Sequence, residues 1–298
     1  MAYQENHETR ETQSSQETVT LHDGTAMPRL GMGTWHLAEG RRPERQEIAA
    51  LQAGLDAGLT LIDTAEMYAD GRAESLVGRA VAGRDRSRLF LVSKVYPHNA
   101  GRRHLRHSLE ASLWRLGTDY LDVYLLHWRG SVPLVETVEC MEQAKSDGLI
   151  RNWGVSNFDT ADMRELFSVS GGDGCAVNQD LYHLGSRGVE YDLLPWMDVH
   201  QVPLMAYCPL AQAGRLHDRL LGSPAVRSIA AAHGVEPIQV LLAFVLRRPD
   251  TIAIPCSGSA GHVLDNLKAL DITLGPDELA VLDDAFPAPT SKEPLDME

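Results

Sequence analysis

The sequence predicts an α/β fold, a (β/α)8 barrel of the TIM type with an N-terminal hairpin as its plug and a short C-terminal tail. Eight apolar segments recur along the chain, and most of them precede a segment with helical spacing. Continuous apolar strands that alternate with helices indicate a parallel sheet covered by helices. The length of 298 residues accommodates the roughly 250 of such a barrel. No apolar segment runs into the Gly-x-Gly-x-x-Gly turn that a doubly wound dinucleotide domain requires.

The predicted elements begin at residue 18. Residues 18–28 are expected to form the hairpin, because Asp23-Gly24 is a typical hairpin turn. The apolar runs predict barrel strands at residues 30–35, 59–62, 89–94, 121–126, 150–155, 175–178, 202–206 and 251–254. Apolar residues three and four positions apart predict helices at residues 44–57, 72–81, 103–116, 134–146, 159–167, 192–200, 224–233, 237–246, 260–270 and 276–282. Gly58 and Gly117 follow two of these helices and are typical helix stops.

The sequence predicts one domain, residues 18–298, since no linker interrupts the alternation of strands and helices. Residues 1–17 are polar and acidic without an apolar core, which predicts a disordered tail and not a signal peptide. Residues 287–298 form the short C-terminal tail, which contains proline. No apolar run approaches the ~18 residues that a membrane helix needs.

The composition restricts the expected partners. The net charge is −14, so neither a nucleic acid nor an anionic membrane surface is expected, because both select a basic surface. The four cysteines are widely spaced and form neither a Cys-x-x-Cys motif nor a cluster with histidine. This spacing predicts reduced thiols in a cytoplasmic protein, with no disulfide framework and no metal site. A monomer or a weak oligomer is expected.

Polar and aromatic side chains follow the predicted strands at their carboxyl ends, where barrels of this type carry their catalytic groups. In chain order they are Trp35, Asp63, Lys94, His127, Ser156, Asn157, Gln179, Tyr207 and Ser257, with Tyr68 on the loop after Asp63. Taken alone, Asp63-Thr64-Ala65-Glu66 is better explained as a helix cap, Lys94 as a solvated strand end and His127 as a core histidine. The joint pattern favours one site, because the ends of successive strands meet on one rim.

Several short motifs resemble the successive signatures of the aldo-keto reductases. They are Asp63-Thr64-Ala65-Glu66-Met67-Tyr68, Ser93-Lys94, Leu126-His127-Trp128, Gly154-Val155-Ser156-Asn157-Phe158 and Tyr207-Cys208-Pro209-Leu210. They occur in order and in register with the strands, and the resemblance runs from about residue 21 to residue 287. Residues 66–71 and 95–99 resemble a bacterial branch that includes methylglyoxal-type aldehyde reductases. The resemblance implies hydride transfer from NADPH to the carbonyl of small aldehydes or ketones.

The resemblance also implies a catalytic tetrad of Asp63, Tyr68, Lys94 and His127. Hydride addition to a carbonyl builds negative charge on oxygen, which a positioned proton donor must meet. Tyr68 is the expected donor, and the ammonium of Lys94 is expected to lower its pKa from the ordinary ~10 of a phenol. Asp63 is expected to hold Lys94 in place, and His127 to orient the carbonyl through a hydrogen bond.

The same resemblance implies the residues that contact the cofactor and the substrate. The expected cofactor contacts are Gly33, Thr34, Asp63, Ser156, Asn157, Gln179, Tyr207, Cys208, Pro209, Leu210, Gln212, Pro255, Cys256, Ser257, Gly258, Ser259, His262, Asp265 and Asn266. Trp35, Tyr96, His127 and Trp128 are expected to line the substrate pocket, although plain core packing explains each aromatic residue equally well. The chain ends soon after Phe286, which leaves little length for a C-terminal substrate loop, so we expect an open pocket.

One position departs from the family pattern and concerns the choice of cofactor. Family members usually have a lysine directly after the proline that ends the eighth strand, and this chain has Cys256 after Pro255. We expect NADPH to remain preferred, with NADH as a possible substitute and a smaller margin than usual. The margin should widen as the pH falls, because His262 gains charge. Cys208 and Cys256 at the cofactor site are expected to make the activity sensitive to thiol reagents.

Two other functions remain open at this point. A cofactor-sensing or interaction module on the same fold would bind the cofactor with little turnover, although it would have no need of all four tetrad residues. A lyase or aldolase would use Lys94 to form a Schiff base with its substrate. The adjoining Tyr68, His127 and Ser156-Asn157 fit hydride transfer better than Schiff-base chemistry.

Overall fold

The computed structural model describes residues 17–212 and 214–297. Its strands are β1 (Thr18–Thr20), β2 (Ala26–Pro28), β3 (Gly31–Gly33), β4 (Leu61–Asp63), β5 (Phe90–Val95), β6 (Leu121–Leu126), β7 (Ile150–Ser156), β8 (Asn178–Leu181), β9 (Leu204–Tyr207) and β10 (Thr251–Ala253). Strands β3 to β10 form one parallel sheet in sequence order. The sheet closes between its two edge strands, where the N–H of Gly33 donates to the carbonyl of Pro255 at 3.0 Å. The predicted (β/α)8 barrel is therefore confirmed.

The helices cover the outside of the barrel. They are α1 (Glu44–Asp56), α2 (Arg72–Val81), α3 (Leu105–Leu116), α4 (Leu134–Ser146), α5 (Thr160–Ser168), α6 (Leu193–His200), α7 (Arg215–Gly222), α8 (Pro224–His233), α9 (Pro237–Leu246), α10 (Ala260–Leu267) and α11 (Pro276–Ala285). Helix α7 was not predicted. It is only eight residues long, and only its Leu220 is fully buried. Among the described helices none is by itself long and apolar enough to cross a membrane, and the pair α8 and α9 passes that test only jointly, with a bend of 93°.

The N-terminal hairpin closes the bottom of the barrel, as predicted. Strands β1 and β2 pair antiparallel with Val19 opposite Met27, and the side chains of both residues are buried. They pack against the inward-facing residues of the barrel, such as Leu61 at the start of β4. The turn is fixed by Asp23, which accepts a hydrogen bond from the Asn152 side chain at 3.0 Å. The predicted disordered tail, residues 1–17, lies outside the described residues except for Glu17, which pairs with Arg29.

Two apolar layers hold the fold together. The outer layer, between the strands and the helices, includes Tyr124 and Leu126 of β6. The inner layer fills the barrel and includes Val123 and Leu125 of the same strand. The alternation follows from the strand geometry, in which successive side chains point to opposite faces. The inner layer ends below the carboxyl rim, and the residues that follow it on each strand face the same interior.

Candidate active site

The strand periodicity brings the predicted catalytic residues together. On four strands, the inner apolar layer contains Leu61, Val92, Leu125 and Val177, and each is followed two residues later by a polar residue that points the same way: Asp63, Lys94, His127 and Gln179. Residues two apart on a strand share a face. These four side chains therefore form a polar layer above the apolar one, and all four are buried.

Lys94 is the centre of this polar layer. Its Nζ donates to Asp63 Oδ2 at 2.6 Å, to the Thr64 carbonyl at 3.0 Å and to the Tyr68 hydroxyl at 3.1 Å. The other carboxylate oxygen of Asp63 accepts a hydrogen bond from Gln179 Nε2 at 2.8 Å. The alternative of a helix cap at Asp63 does not hold, because its carboxylate is bonded to Lys94 and Gln179.

Tyr68 keeps its own proton in this site. An ammonium group has only donors, so the Tyr68 oxygen accepts from Lys94 and its own proton is free to point elsewhere. Burial raises the pKa of Tyr68 well above its ordinary value, and the negative charge of Asp63 raises it further. The expected lowering of this pKa by Lys94 is thus wrong for the protein alone, because Asp63 offsets the charge of Lys94 and the phenol is desolvated. Tyr68 is therefore protonated at neutral pH.

His127 lies beside Tyr68 with its ring edge-on, the ring centroids being 5.7 Å apart. Burial lowers the pKa of His127 well below its ordinary value, and the nearby charge of Lys94 acts in the same direction. Its ring is therefore neutral at physiological pH and carries one N–H donor. Nδ1 of His127 is buried without a hydrogen-bond partner among the described residues, and the residue lines the pocket described below.

A group of polar side chains faces Tyr68 from the opposite side of the barrel. Asn157 has a positive φ of 58°, and its Nδ2 donates to the His127 carbonyl and to Ser156 Oγ, both at 3.1 Å. Tyr207 donates its hydroxyl proton to Asn157 Oδ1 at 2.8 Å. Ser156 Oγ in turn donates to the Gln179 carbonyl at 2.8 Å. This group offers hydroxyl and amide donors and acceptors, which is the donor set that a carboxamide requires.

These side chains line one pocket with their aromatic neighbours. The pocket is lined by Trp35, Met67, Tyr68, His127, Trp128, Ser156, Asn157, Gln179, Tyr207 and Met297. Tyr96, which was expected here, does not line it, because its ring packs edge-on against Trp128 at 5.9 Å. Met67 and Met297 were not predicted. Met67 stands within the Asp63–Tyr68 motif, whereas the sequence around Met297 contains no signal that it lies in a pocket.

The expectation of an open pocket stays a prediction, but the C-terminal tail contributes to the pocket wall. The last described residues return to the rim, so that Met297 forms part of the pocket wall. A short tail can reach the pocket because it starts from α11 and runs over the loop after β8, where Ser186 Oγ donates to the Asp296 carboxylate.

The remaining expected cofactor contacts lie on the neighbouring rim. Thr34 donates its hydroxyl proton to the Asp63 carbonyl at 3.0 Å, and a Cβ at Gly33 would stand 2.7 Å from the Ile254 carbonyl. Cys208 begins the loop after β9 with a φ of 46°. Pro209, Leu210 and Gln212 follow on this loop, and Pro255, Ser257, Gly258, Ser259 and His262 lie between β10 and the first turn of α10. Asp265 pairs with Lys268 and Asn266 is buried, so their contact with adenine stays a prediction.

Cys256 is one of the two cysteines expected to make the activity sensitive to thiol reagents. Its Sγ donates to the Trp35 carbonyl at 3.0 Å. Desolvation in the cleft and the negative charges around it raise the pKa of this thiol to about 12, although part of the residue is open to the surface. The thiolate is the reactive form of cysteine. The raised pKa opposes reaction while the exposure of Cys256 permits it, so the sensitivity to thiol reagents stays a prediction.

A nicotinamide cofactor fits these residues. The amide and hydroxyl groups of Ser156, Asn157 and Gln179 face the pocket beside the ring of Tyr207, and the rim beyond β9 and β10 carries the loops that enter α7 and α10. Tyr68, the expected proton donor, lines the same pocket. Among residues 17–212 and 214–297 no three His, Cys, Asp or Glu side chains form a group that could hold a metal ion.

The chain is similar to known proteins over almost its whole length. Residues 29–286 match the aldo/keto reductase family. Methylglyoxal reductase YeaE of Escherichia coli (strain K12) is 53% identical over 282 residues, which are 95% of this chain and 99% of that protein. Methylglyoxal reductase DkgB of Salmonella typhi is 30% identical over 265 residues, 86% of this chain and 93% of that protein.

Solved structures agree with the sequence matches. An aldo/keto reductase from Klebsiella pneumoniae in complex with NADP and acetate is 54% identical, with a TM-score of 0.91 over 95% of this chain and 100% of that one. A second structure from the same organism, in complex with NADPH, has the same identity and TM-score and covers 95% and 99% of the two chains. The family match, residues 29–286, includes every strand that supplies a residue of the pocket.

Proposed function

Because the chain belongs to the aldo/keto reductase family, we propose that it reduces small aldehydes and ketones with Tyr68 as the general acid. That it is an NADPH-dependent oxidoreductase follows from the family and its NADP-bound structural relatives. The identity of the acid and the class of substrate are the proposal. Its main support is the contact of one buried ammonium, Lys94 Nζ, with both the Asp63 carboxylate and the Tyr68 hydroxyl.

We place the cofactor with its nicotinamide in the pocket and its phosphates on the rim. Ser156, Asn157 and Gln179 would hold the carboxamide, and Tyr207 would stack on the ring. Loop residues 208–212 would cover the pyrophosphate, and residues 255–259 with the start of α10 would receive the adenosine phosphate. When bound, the cofactor supplies a hydride to the carbonyl carbon.

The residues of the chain supply the proton and the position of the carbonyl. The neutral His127 donates a hydrogen bond to the carbonyl oxygen and orients it towards Tyr68. The phenol proton of Tyr68 passes to that oxygen as negative charge develops on it. The Lys94 ammonium, held by Asp63, stabilises the phenolate that is left, since a nearby opposite charge favours the ionised form. A desolvated site strengthens each of these interactions.

The surroundings of Lys94 argue against a Schiff-base mechanism. Such a mechanism needs a neutral amine that can reach the substrate. Lys94 is fully buried, and its three N–H donors are directed to Asp63, Thr64 and Tyr68. It lies behind the Tyr68 hydroxyl and is absent from the pocket wall.

The pocket wall supports a small, uncharged carbonyl substrate. Trp35, Trp128, Met67 and Met297 give it apolar sides, and the described wall contains no arginine or lysine. Methylglyoxal, a small ketoaldehyde named in the two relatives, belongs to this class. We therefore propose methylglyoxal and aldehydes of similar size as the first substrates to test.

Replacing Tyr68 by Phe tests the assignment of the acid. We expect the rate of NADPH oxidation with methylglyoxal to fall by about 10²–10⁴-fold, the usual contribution of general acid catalysis, while fluorescence titration shows unchanged NADPH affinity. Tyr191→Phe, which removes a phenol that is 46% exposed, serves as the matched control and should retain the wild-type rate. A Tyr68→Phe variant with nearly wild-type turnover would refute the assignment. A wild-type protein that binds NADPH but reduces no small aldehyde would favour the sensor alternative.

A further inference from the structure

The loop between β10 and α10 needs a positive charge if it receives the adenosine phosphate of NADPH. The 2′-phosphate distinguishes NADPH from NADH and carries nearly two negative charges at neutral pH. The first N–H groups of α10 favour an anion, and Ser259 does not cap them with its side chain. Charge-assisted contacts are about twice as strong as neutral ones. The residue after Pro255 is Cys256, which supplies no such charge.

An arginine from a distant part of the chain lies against this loop. Arg42 belongs to the connection between β3 and α1. A Cβ built on Gly258 would stand 2.9 Å from Arg42 Cδ and 3.4 Å from Arg42 Nε. The guanidinium reaches the loop because Gly258 has no side chain to keep it away.

The guanidinium of Arg42 is available for a ligand. Among the described residues, Arg42 forms no hydrogen bond or ion pair, whereas its neighbour Arg41 pairs with Glu39 at 2.9 Å. The nearby carboxylate of Glu47 is bonded elsewhere, since its Oε2 accepts from the Ala38 N–H at 2.9 Å. Arg42 is also exposed, so a solvent-borne anion can reach it.

We propose that Arg42 binds the 2′-phosphate of NADPH and supplies the positive charge that Cys256 does not. The proposal rests on the cofactor placement proposed above. A guanidinium presents a planar fork of donors that matches phosphate oxygens, so it can make two parallel hydrogen bonds. Arg42 would thus bind the 2′-phosphate from the side of the loop opposite Cys256, and this contact would make the chain prefer NADPH over NADH.

The local charge makes such a cation necessary. Burial, the neighbouring Cys208 and the carboxylates of Glu47, Asp63 and Glu39 together raise the pKa of Cys256. Asp63 is paired with Lys94 and Glu39 with Arg41, so Glu47 is, among the described residues, the carboxylate of this group without an ion pair, and it repels a phosphate at this loop. The positive charge of Arg42 offsets that repulsion.

Calorimetric titration tests the proposal without using turnover. The ligands are 2′,5′-ADP and NADPH, which carry the 2′-phosphate, and 5′-AMP and NADH, which do not. We expect Arg42→Gln to weaken binding of the first two ligands about tenfold or more and to leave the other two unchanged. Arg45→Gln, which removes the charge of an exposed arginine on the first turn of α1, is the matched control. Adding Cys256→Lys to Arg42→Gln should restore the affinity for 2′,5′-ADP.

Three results would overturn the assignment: unchanged affinity in Arg42→Gln, an equal loss for NADPH and NADH, or the same loss in Arg45→Gln. None of these three results would contradict the proposed reductase function, provided that the wild-type protein reduces methylglyoxal with NADPH. A wild-type protein that binds neither 2′,5′-ADP nor NADPH would instead refute the cofactor placement itself.

Discussion

Lys94 and Asp63 place two opposite charges in a site that water does not reach. Burial raises the pKa of Asp63 and lowers that of Lys94, while each group holds the other in its charged form. The pair persists because its hydrogen bonds are satisfied: Lys94 uses all three donors, and Asp63 also accepts from Gln179. Removing one partner of a buried pair leaves an uncompensated charge, which is far more destabilising than the pair is stabilising.

The directions of two pKa shifts predict the pH dependence of the reductase. Tyr68 must be protonated to act as an acid, and its raised pKa keeps it so through neutral and mildly alkaline pH. His127 must be neutral in the same range, and its lowered pKa ensures this. We expect kcat/KM for methylglyoxal reduction to be flat from about pH 6 to 9 and to fall only above about pH 10, the ordinary phenol pKa. The measurement is a pH–rate profile at saturating NADPH.

A different profile would contradict these assignments. A descending limb between about pH 7 and 9 would mean that the phenol pKa is lowered, as the sequence alone led us to expect. A limb with a midpoint near ~6.5 would mean that His127 titrates like an exposed histidine.

At the scale of elements, the C-terminal tail is a wall of the pocket. Lys292 Nζ donates to both carboxylate oxygens of Asp192 at 2.9 Å, and the tail is tied again where Ser186 donates to Asp296. These contacts lie on the loop after β8 and at the start of α6. They position Met297, which follows directly on Asp296, against the pocket.

Shortening Met297 should change the substrate range. Met297→Ala removes an apolar side chain from the pocket wall. We therefore expect kcat/KM for a bulky aromatic aldehyde to rise several-fold relative to kcat/KM for methylglyoxal. One methylene group in a hydrophobic pocket changes such a ratio of kcat/KM values by about 10–200-fold at most. NADPH affinity should stay unchanged. Glu293→Gln changes the same tail without touching the pocket and is the control. An unchanged ratio of the two substrates would show that the tail does not restrict the pocket.

For the whole molecule, the closed barrel supplies both stability and the site. Hairpin residues Val19 and Met27 seal its lower end, and the inner apolar layer supports the polar layer above it. One buried group opposes this stability. Asp180 of β8 is fully buried, and no side chain among the described residues donates a hydrogen bond to its carboxylate, while the backbone amides of Phe158 and Asn157 partly favour its charged form.

Asp180 should make the free energy of unfolding depend on pH. Burial raises the pKa of Asp180 well above its ordinary value, although the backbone of Phe158 acts in the opposite direction. In the unfolded chain this group ionises above about pH 4, whereas in the folded protein it keeps its proton. The contribution of Asp180 to the free energy of unfolding is therefore fully present below about pH 4. It is lost as the pH rises towards the pKa of Asp180 in the folded protein.

Asp180→Asn removes this dependence. We expect it to stabilise the protein by about 1–3 kcal/mol at pH 8 and by less at pH 5, as measured by urea unfolding at both values. Asp284→Asn, at an exposed position of α11, should have no such effect. A destabilised Asp180→Asn, or a gain that does not grow with pH, would mean that the Asp180 carboxylate has a partner in the folded protein.

The sequence by itself determined the barrel and the residues that face its rim. Period-two alternation decides which side chains enter the interior, and the apolar runs mark where each strand ends. Asp63, Lys94, His127 and Gln179 could therefore be assigned to one site from strand pattern alone, and Tyr68 followed from the loop that leaves Asp63. Local pattern suffices here because the closure of a parallel barrel brings all its strand ends together.

Only the tertiary structure decided the properties that depend on contacts between distant segments. The raised pKa of Tyr68 results from burial and from Asp63, and burial is not readable from a motif. Met297 enters the pocket only because the tail crosses the loop after β8. Arg42 meets Gly258 because the loops after β3 and β10 are neighbours across the barrel seam. Each of these contacts joins residues whose separation in sequence carries no periodic signal, so only the folded chain brings them together.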